Sequence, residues 1–246
     1  MTSLLIASRN SHKVQEVRAI LGQGFHYLTL NDFPNAPKII EDAGTFAGNA
    51  TKKAVELARW LARRWTAEQG TRKADEESLP SKLHVLADDS GLEVDALNGA
   101  PGAYSARFAA MNGRAGGPPA GPAGTGNAPD ADNNARLLHL LKDVALEKRT
   151  ARFRCVVALT PVLPVMQQGA SPVCYADELE LETELFEGMC EGHVGFAPRG
   201  AGGFGYDPLF IPEGYQQSFA ELGAGVKNGL SHRARALARL RERLLG

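Results

Sequence analysis

Cysteine is scarce in this chain. Its three cysteines, Cys155, Cys174 and Cys190, are an odd number, and none stands in a CxxC pair. That spacing excludes a disulfide framework and a zinc site, and it fits a reducing cytoplasm. Long hydrophobic runs are also missing: residues 4–7 are apolar but far too few for a signal peptide or a membrane span. Neither charge is in excess, with 27 Lys and Arg against 28 Asp and Glu and a formal net charge of −1. No global field therefore draws nucleic acid or a membrane surface, and any anion site has to be local. The Gly-x-Ser-x-Gly elbow of serine hydrolases is absent, as is any internal repeat. What remains is a soluble, cytoplasmic protein whose 246 residues suit a single domain.

Strands and helices interleave along the chain. The apolar run at residues 4–7, the turn SRNSHK and the helical spacing of Val14, Val17, Ile20 and Leu21 read as strand, tight turn, helix, with Asn10 or Ser11 as N-cap. Ala50, Ala54, Leu57, Ala58 and Leu61 form one stripe, which predicts a helix from about Phe46 to Trp65. The polar stretch 66–82 reads as a loop, and LHVLADDSG as a short strand ending in two carboxylates and a Ser-Gly turn. From 112 to 130 the composition collapses to Gly, Pro, Ala and Asn, which predicts a flexible, peripheral surface loop. Leu137, Leu138 and Leu141 mark another helix, and ARFRCVVALT a strand. ELELETEL alternates strictly, so Glu178, Glu180, Glu182 and Glu184 read as the solvated face of a strand. The last helix is expected to be capped by Ser231 and to turn Ala234, Leu237, Leu240 and Leu244 inward. The class is α/β with a mixed sheet.

Two helix starts carry cations where the helix dipole disfavours them: Arg9, His12 and Lys13 at the first, His232 and Arg233 at the last. Either an anion completes the charge balance there, or the long side chains bend back into solvent. SRNSHK has no glycine and no GK[ST], so it is not a Walker A loop, and a phosphate held there would need side-chain cations. Asp88 and Asp89 close an apolar strand, where open α/β sheets place ligands; such a pair can hold Mg²⁺ and orient water, with Glu41 as a further ligand. The same four residues, Asp88-Asp89-Ser90-Gly91, are also a good turn sequence. In GAGGFGYDPLF, Phe204 and Tyr206 stand among glycines, as a stacking face for a flat ligand or as aromatics folded into the core. Tyr104, Ser105 and Arg107 in PGAYSARF suggest a further wall or an interface.

Taken together, Ser8-Arg9-Asn10-x-x-Lys13, Glu41, Phe46-x-x-Asn49-Ala50-x-x-Lys53-Ala54, Asp88-Asp89-Ser90-Gly91-Leu92, Pro101-Gly102-x-Tyr104-Ser105-Ala106-Arg107, Gly202-Gly203-Phe204-Gly205-Tyr206-Asp207-Pro208 and Lys227 with Ser231-His232-Arg233 resemble the inosine triphosphate pyrophosphatase family, also called dITP/XTP pyrophosphatases. The blocks follow the family's order over nearly the whole chain. They depart from it at Ser8-Arg9, where Thr-Gly is usual, and at Gly48, where Glu is usual.

The resemblance implies an elongated central mixed sheet flanked by helices, with two lobes around a nucleotide-binding cleft, and a homodimer. It implies Mg²⁺-dependent hydrolysis of ITP, dITP or XTP to monophosphate and pyrophosphate, which keeps these nucleotides out of DNA and RNA. Asp89 would then be the general base and a metal ligand, alongside Glu41 and Asp88. Ser8, Arg9, Asn10, Ser11, His12 and Lys13 would hold the phosphates, with Lys53 nearby and Ser90 on the substrate. Phe204, Gly205, Tyr206 and Asp207 would form the base pocket, closed by Lys227, His232 and Arg233. The alternatives are a related pyrophosphatase with another base preference and a catalytically silent nucleotide-binding protein. Nucleic-acid binding through Arg152 and Arg154 is disfavoured by the balanced charge.

Overall fold

A strand buried on both faces has no room for alternating polar residues, and β1 (Ser3–Ile6) is buried at every position. In the computed structural model, which describes residues 1–69, 82–111, 127–163 and 178–246, β1 lies between two parallel neighbours. These are β2 (His26–Thr29) and β3 (Leu83–Val94), with Ser3 opposite His26 and Leu83, and Ile6 opposite Thr29 and Leu86. The crossover through α1 (Ser11–Leu21) leads to one side of β1, and that through α2 (Phe46–Gln69) to the other. The carboxyl end of β1 is thus a topological switch point, where sheets of this kind receive ligands.

The sheet has six strands in the order β2-β1-β3-β4-β5-β6, where β4 is Thr150–Pro161, β5 Glu184–Val194 and β6 Phe210–Pro212, the last two antiparallel. Parallel and antiparallel pairs make it the mixed sheet expected, in an α/β fold. The chain forms two compact units: Met1–Ala43, Ala47–Asp88 and Val157–Phe186 in the first, Gly44–Phe46, Asp89–Val156 and Glu187–Gly246 in the second. β3, β4 and β5 each give residues to both.

In the first unit the predicted stripe of α2 is fully buried, from Ala50 through Leu61. The helix runs four residues past Trp65, over part of the expected loop. Asn49 on this helix accepts the Ala43 N–H at 2.9 Å and so pins the segment that carries Glu41. Asn10 is the N-cap of α1, its Oδ1 accepting from the His12 and Lys13 N–H groups at 2.9 and 3.3 Å.

The second unit is built on aromatic rings. Phe153 on β4 meets Phe210 at 4.7 Å between centroids and stacks on His232 at 4.7 Å. Phe219, at the start of α5 (Phe219–Leu230), completes the group at 5.1 Å from Phe210. Arg149, 2% exposed, gives its guanidinium to the carbonyls of Val144, Gly195 and Leu141 at 2.7–2.9 Å, closing the turn after α3 (Asp130–Leu140) onto β4. Asn133 on α3 bonds Ala109 N, Ala106 O and Ala128 O, and Ala128 N donates to Ala106 O, so the chain on either side of residues 112–126 is tied together. Arg152 and Arg154 are paired across the sheet with Asp95 and Glu191, and with Glu93 and Glu187. Ser231 caps α6 (His232–Leu245) as expected; Ala234, Leu237 and Leu240 are buried, and Leu244 is half-buried.

Three expectations need correction. β3 does not end at Asp88-Asp89-Ser90-Gly91 but runs through them to Val94, because the Ser105 hydroxyl comes to its edge: it accepts from Leu92 N at 2.9 Å and donates to Gly102 O at 2.7 Å. Gly91 leaves the space for that approach, since a Cβ there would fall on Ser105 and within 2.5 Å of Gly102 O. ELELETEL is no single strand: Glu178–Leu181 forms a helical turn, α4, and β5 begins only at Glu184. Asp130 belongs not to a loop but to the first turn of α3, where a carboxylate complements the helix dipole. The Arg107 guanidinium lies 5.1 Å from the centre of the Tyr104 ring. The rest of the segments 66–82, 112–130 and 166–185, with Cys174, lies outside the described residues; Cys155 and Cys190 are buried thiols. Among the described residues no helix is long and apolar enough to cross a membrane.

Gly188 on β5 lets α6 sit directly on the strand, because a Cβ there would collide with the backbone at His232 O and Ala236 N. Backbone cannot swing aside as a flexible side chain can. Gly188→Ala is therefore expected to cost about 1–3 kcal/mol or more in urea unfolding, whereas Gly24→Ala, in open space, should cost far less.

Candidate active site

Each unit presents its own cluster of charged residues. In the first, β1 stops at Ile6 while β3 continues, and Ala7 N makes one more bond to Leu86 O at 2.8 Å before the SRNSHK turn departs. The turn is held by its own side chains, with Ser8 Oγ accepting from Asn10 N at 3.1 Å. Asp88, two residues past the last paired position, is 5% exposed. A carboxylate so deeply placed needs a countercharge, and Lys13 on the first turn of α1 supplies it at 3.0 Å from Oδ2. Lys53 on α2 reaches the same place, donating to the Asp88 carbonyl at 2.9 Å and pairing with Glu41 Oε1.

Lys13, Lys53, Glu41 and Asp88 are thus brought together. The others of the turn are placed differently: the Arg9 guanidinium contacts Ala36 O at 3.3 Å, and Ser11 and His12 are exposed on the first turn of α1. This explains the misplaced cation at Lys13. Its charge is taken by a carboxylate of the adjacent strand, which offsets the repulsion of the helix dipole.

In the second unit Asp89, 7% exposed, accepts from Ser90 N at 3.0 Å, and Ser90 Oγ accepts from Arg233 Nη2 at 2.9 Å. Asp207 Oδ2 accepts from Phe204 N at 2.9 Å and pairs with Lys227 Nζ at 2.6 Å, both side chains 5% exposed or less. The Lys227 ammonium stands 4.5 Å from the Phe204 ring centre, and the Arg233 guanidinium 5.8 Å from it. Asp207, Phe204, Lys227 and Arg233 form one assembly, with Arg233 linking it to Ser90. Tyr206 and His232 are buried, 3% and 4% exposed. The Tyr206 hydroxyl donates to Ser105 O at 3.0 Å, and burial raises it far above the usual phenol range. The His232 ring stacks on Phe153.

The donor set suits a hard divalent cation. Mg²⁺ takes one or two carboxylates and fills its remaining positions with phosphate and water oxygens, so it does not require an all-protein cage. Among the described residues no three His, Cys, Asp or Glu side chains are grouped to hold a metal. Because β3 is continuous, Asp88 and Asp89 are consecutive strand residues, whose side chains alternate between faces. Asp88 and Glu41 are each paired with a lysine, Lys13 and Lys53.

Sequence reasoning gave Asn49 no role of its own and missed Asp130 and Asn134. The last two bind Gly205: its N–H donates to Asp130 Oδ2 at 2.6 Å, and its carbonyl accepts from Asn134 Nδ2 at 3.0 Å. The signal available was PDADNN itself, two consecutive Asn in a helix, where Asn is a poor helix former.

Replacing Lys227 with Met leaves Asp207 buried without its countercharge. The loss expected in urea unfolding is about 3–5 kcal/mol, and the double variant Lys227→Met/Asp207→Leu should recover part of it.

The comparisons with known proteins agree along the whole length. The model of the Ham1 family matches residues 4–243. A dITP/XTP pyrophosphatase of Shouchella clausii is 39% identical over 246 residues, covering 100% of this chain and 98% of that protein. One of Geobacter sulfurreducens is 40% identical over 245 residues, covering 99% and 97%. Among solved structures, a HAM1 protein from Coxiella burnetii matches with a TM-score of 0.68 at 32% identity, over 99% of this chain and 98% of that one.

Proposed function

The chain belongs to the Ham1 family, and on that premise we propose that it is a nucleoside triphosphate pyrophosphatase that hydrolyses deaminated purine nucleotides, ITP, dITP and XTP, to monophosphate and pyrophosphate. Full-length identity to curated dITP/XTP pyrophosphatases supports this reading. The structural observation that carries it is the pair of lysines seated on carboxylates at the carboxyl end of β1.

In this reading Lys13 and Lys53 are resident cations. When a triphosphate arrives they turn from Asp88 and Glu41 to the phosphate oxygens, with Ser8, Arg9 and Asn10 completing the cradle and Ser11 and His12 at its exposed side. Asp89 accepts a proton from water as the water oxygen attacks the α-phosphorus. The bond to the bridging oxygen breaks, and pyrophosphate leaves with the electron pair. Mg²⁺ would be held by Asp89 and Glu41, with Asp88 beside them, and when bound it supplies charge neutralisation for the leaving pyrophosphate.

The base goes to Phe204, with Asp207, Lys227 and Arg233 around it. Hypoxanthine and xanthine offer O6 as an acceptor where adenine offers an amino donor. A guanidinium donor aimed at that position leaves ATP with donor facing donor, which a hydrogen-bonding site penalises strongly. Guanine shares O6, so GTP has to be rejected at its 2-amino group. A homodimer and a cytoplasmic location belong to the same proposal.

The test is product analysis with Mg²⁺ and ITP, XTP, GTP or ATP, each alone. Inosine or xanthosine monophosphate plus pyrophosphate is expected, with ATP and GTP nearly untouched. Diphosphate plus orthophosphate would overturn the chemistry, and binding of ITP without turnover would favour the silent nucleotide-binding protein. Asp89→Asn should lower kcat by about 10²-fold or more while ITP still binds in calorimetry; activity retained within about tenfold would assign the base elsewhere. Arg233→Ala should narrow the ratio of ITP to ATP kcat/KM by about tenfold; an unchanged ratio would move base selection to other residues.

A further inference from the structure

We infer that Asp130 and Asn134 are positioning residues that fix the base-binding loop at residues 202–208 and so set discrimination among purine bases. This rests on the function proposed above for Phe204 and Arg233.

Gly205 sits in the left-handed region at φ 64. Glycine there has the widest conformational freedom of any residue, so nothing in its own side chain holds the loop in one shape. The grip comes from outside. Asp130 and Asn134 are four residues apart on α3 and share a helix face. The first takes the Gly205 N–H at 2.6 Å, and the second donates to the Gly205 carbonyl at 3.0 Å. Both dihedrals of Gly205 are therefore confined, and with them the direction of the Phe204 ring that lies under Lys227 and Arg233.

The helix that grips is itself anchored. Asn133 ties it to Ala106 and Ala109 of the 3₁₀ segment Gly102–Ala110, and the Tyr206 hydroxyl ties the loop to Ser105 of the same segment. Loop and helix thus share one fixed support.

Asn134 is an expensive choice for stability. It is 8% exposed in a helix, and its Oδ1 is buried without a hydrogen-bond partner. An apolar residue of the same size would avoid that cost. What it would lack is the Nδ2 donor to Gly205. Neither Asp130 nor Asn134 touches a reacting atom in the mechanism above, so their effect passes through the loop.

The experiment compares Asn134→Leu, Asp130→Ala and Asp130→Asn with the wild type. The readouts are kinetics on ITP and ATP, inhibition by tripolyphosphate, and thermal unfolding. Tripolyphosphate carries no base, so it reports the phosphate end alone. Asn134→Leu and Asp130→Ala should raise KM for ITP by about tenfold with a smaller change in kcat, and the preference for ITP over ATP should fall. Inhibition by tripolyphosphate should stay at the wild-type level, and the Tm of Asn134→Leu should not fall. Asp130→Asn keeps an acceptor oxygen and should restore KM. Parallel weakening of tripolyphosphate and ITP, or an unaltered base preference, would overturn the inference. If the wild type does not turn over ITP, calorimetric binding of ITP and tripolyphosphate to the same variants gives the same split. The clamp and the proposed reaction can then fail separately.

Discussion

A strand interior is a poor place for charge, and β3 carries two consecutive aspartates there, Asp88 and Asp89, each less than a tenth exposed. Much of the charged architecture answers that constraint. Lys13 is brought by the N-terminus of α1 and Lys53 by α2, so both crossover helices that flank β1 deliver a cation to the level of Asp88. A lysine at a helix start is unfavourable in isolation, but a buried carboxylate without a partner is far more so. The heavier of these two penalties decides which residue stands at the helix start.

The second unit resolves a similar conflict with rings. Asp207 and Lys227 are nearly sealed from water, and a buried pair of this kind often adds little net stability. Its value lies in direction: the carboxylate holds the Phe204 N–H, and the ammonium lies over the Phe204 ring, so a single pair fixes an aromatic face. Arg149 does comparable work with neutral partners, joining two carbonyls of the turn after α3 to that of Gly195. Rigid polar cross-links, rather than apolar packing alone, set the loop geometry here.

What was legible in the sequence was local. The stripe of α2, the cap at Ser231 and the mixed α/β class all follow from periodicity or from neighbours within one turn. Of the residues in the motif blocks, Lys13, Glu41, Lys53 and Asp88 are brought together in the structure. The course of β3 was not legible, because Asp-Asp-Ser-Gly is compatible with a turn or a strand, and the deciding contact comes from Ser105, thirteen residues on from Leu92. The contacts of Tyr206 with Ser105 and of His232 with Phe153 were not legible either, because each joins segments far apart in the chain. Asp130 was hidden by its setting, next to a Gly/Pro-rich stretch whose composition masked a helix start.

The ties made by Asn133 and by the Ala128–Ala106 bond have a bearing on how this chain can vary in length. They bring the two ends of the segment 112–126 together on the 3₁₀ segment. Doubling the number of residues between two such ends costs about 0.6 kcal/mol in closure entropy, a small fraction of a domain's stability. By that entropy alone, a change in the number of residues between Met111 and Asn127 weighs little against the ties that hold its two ends.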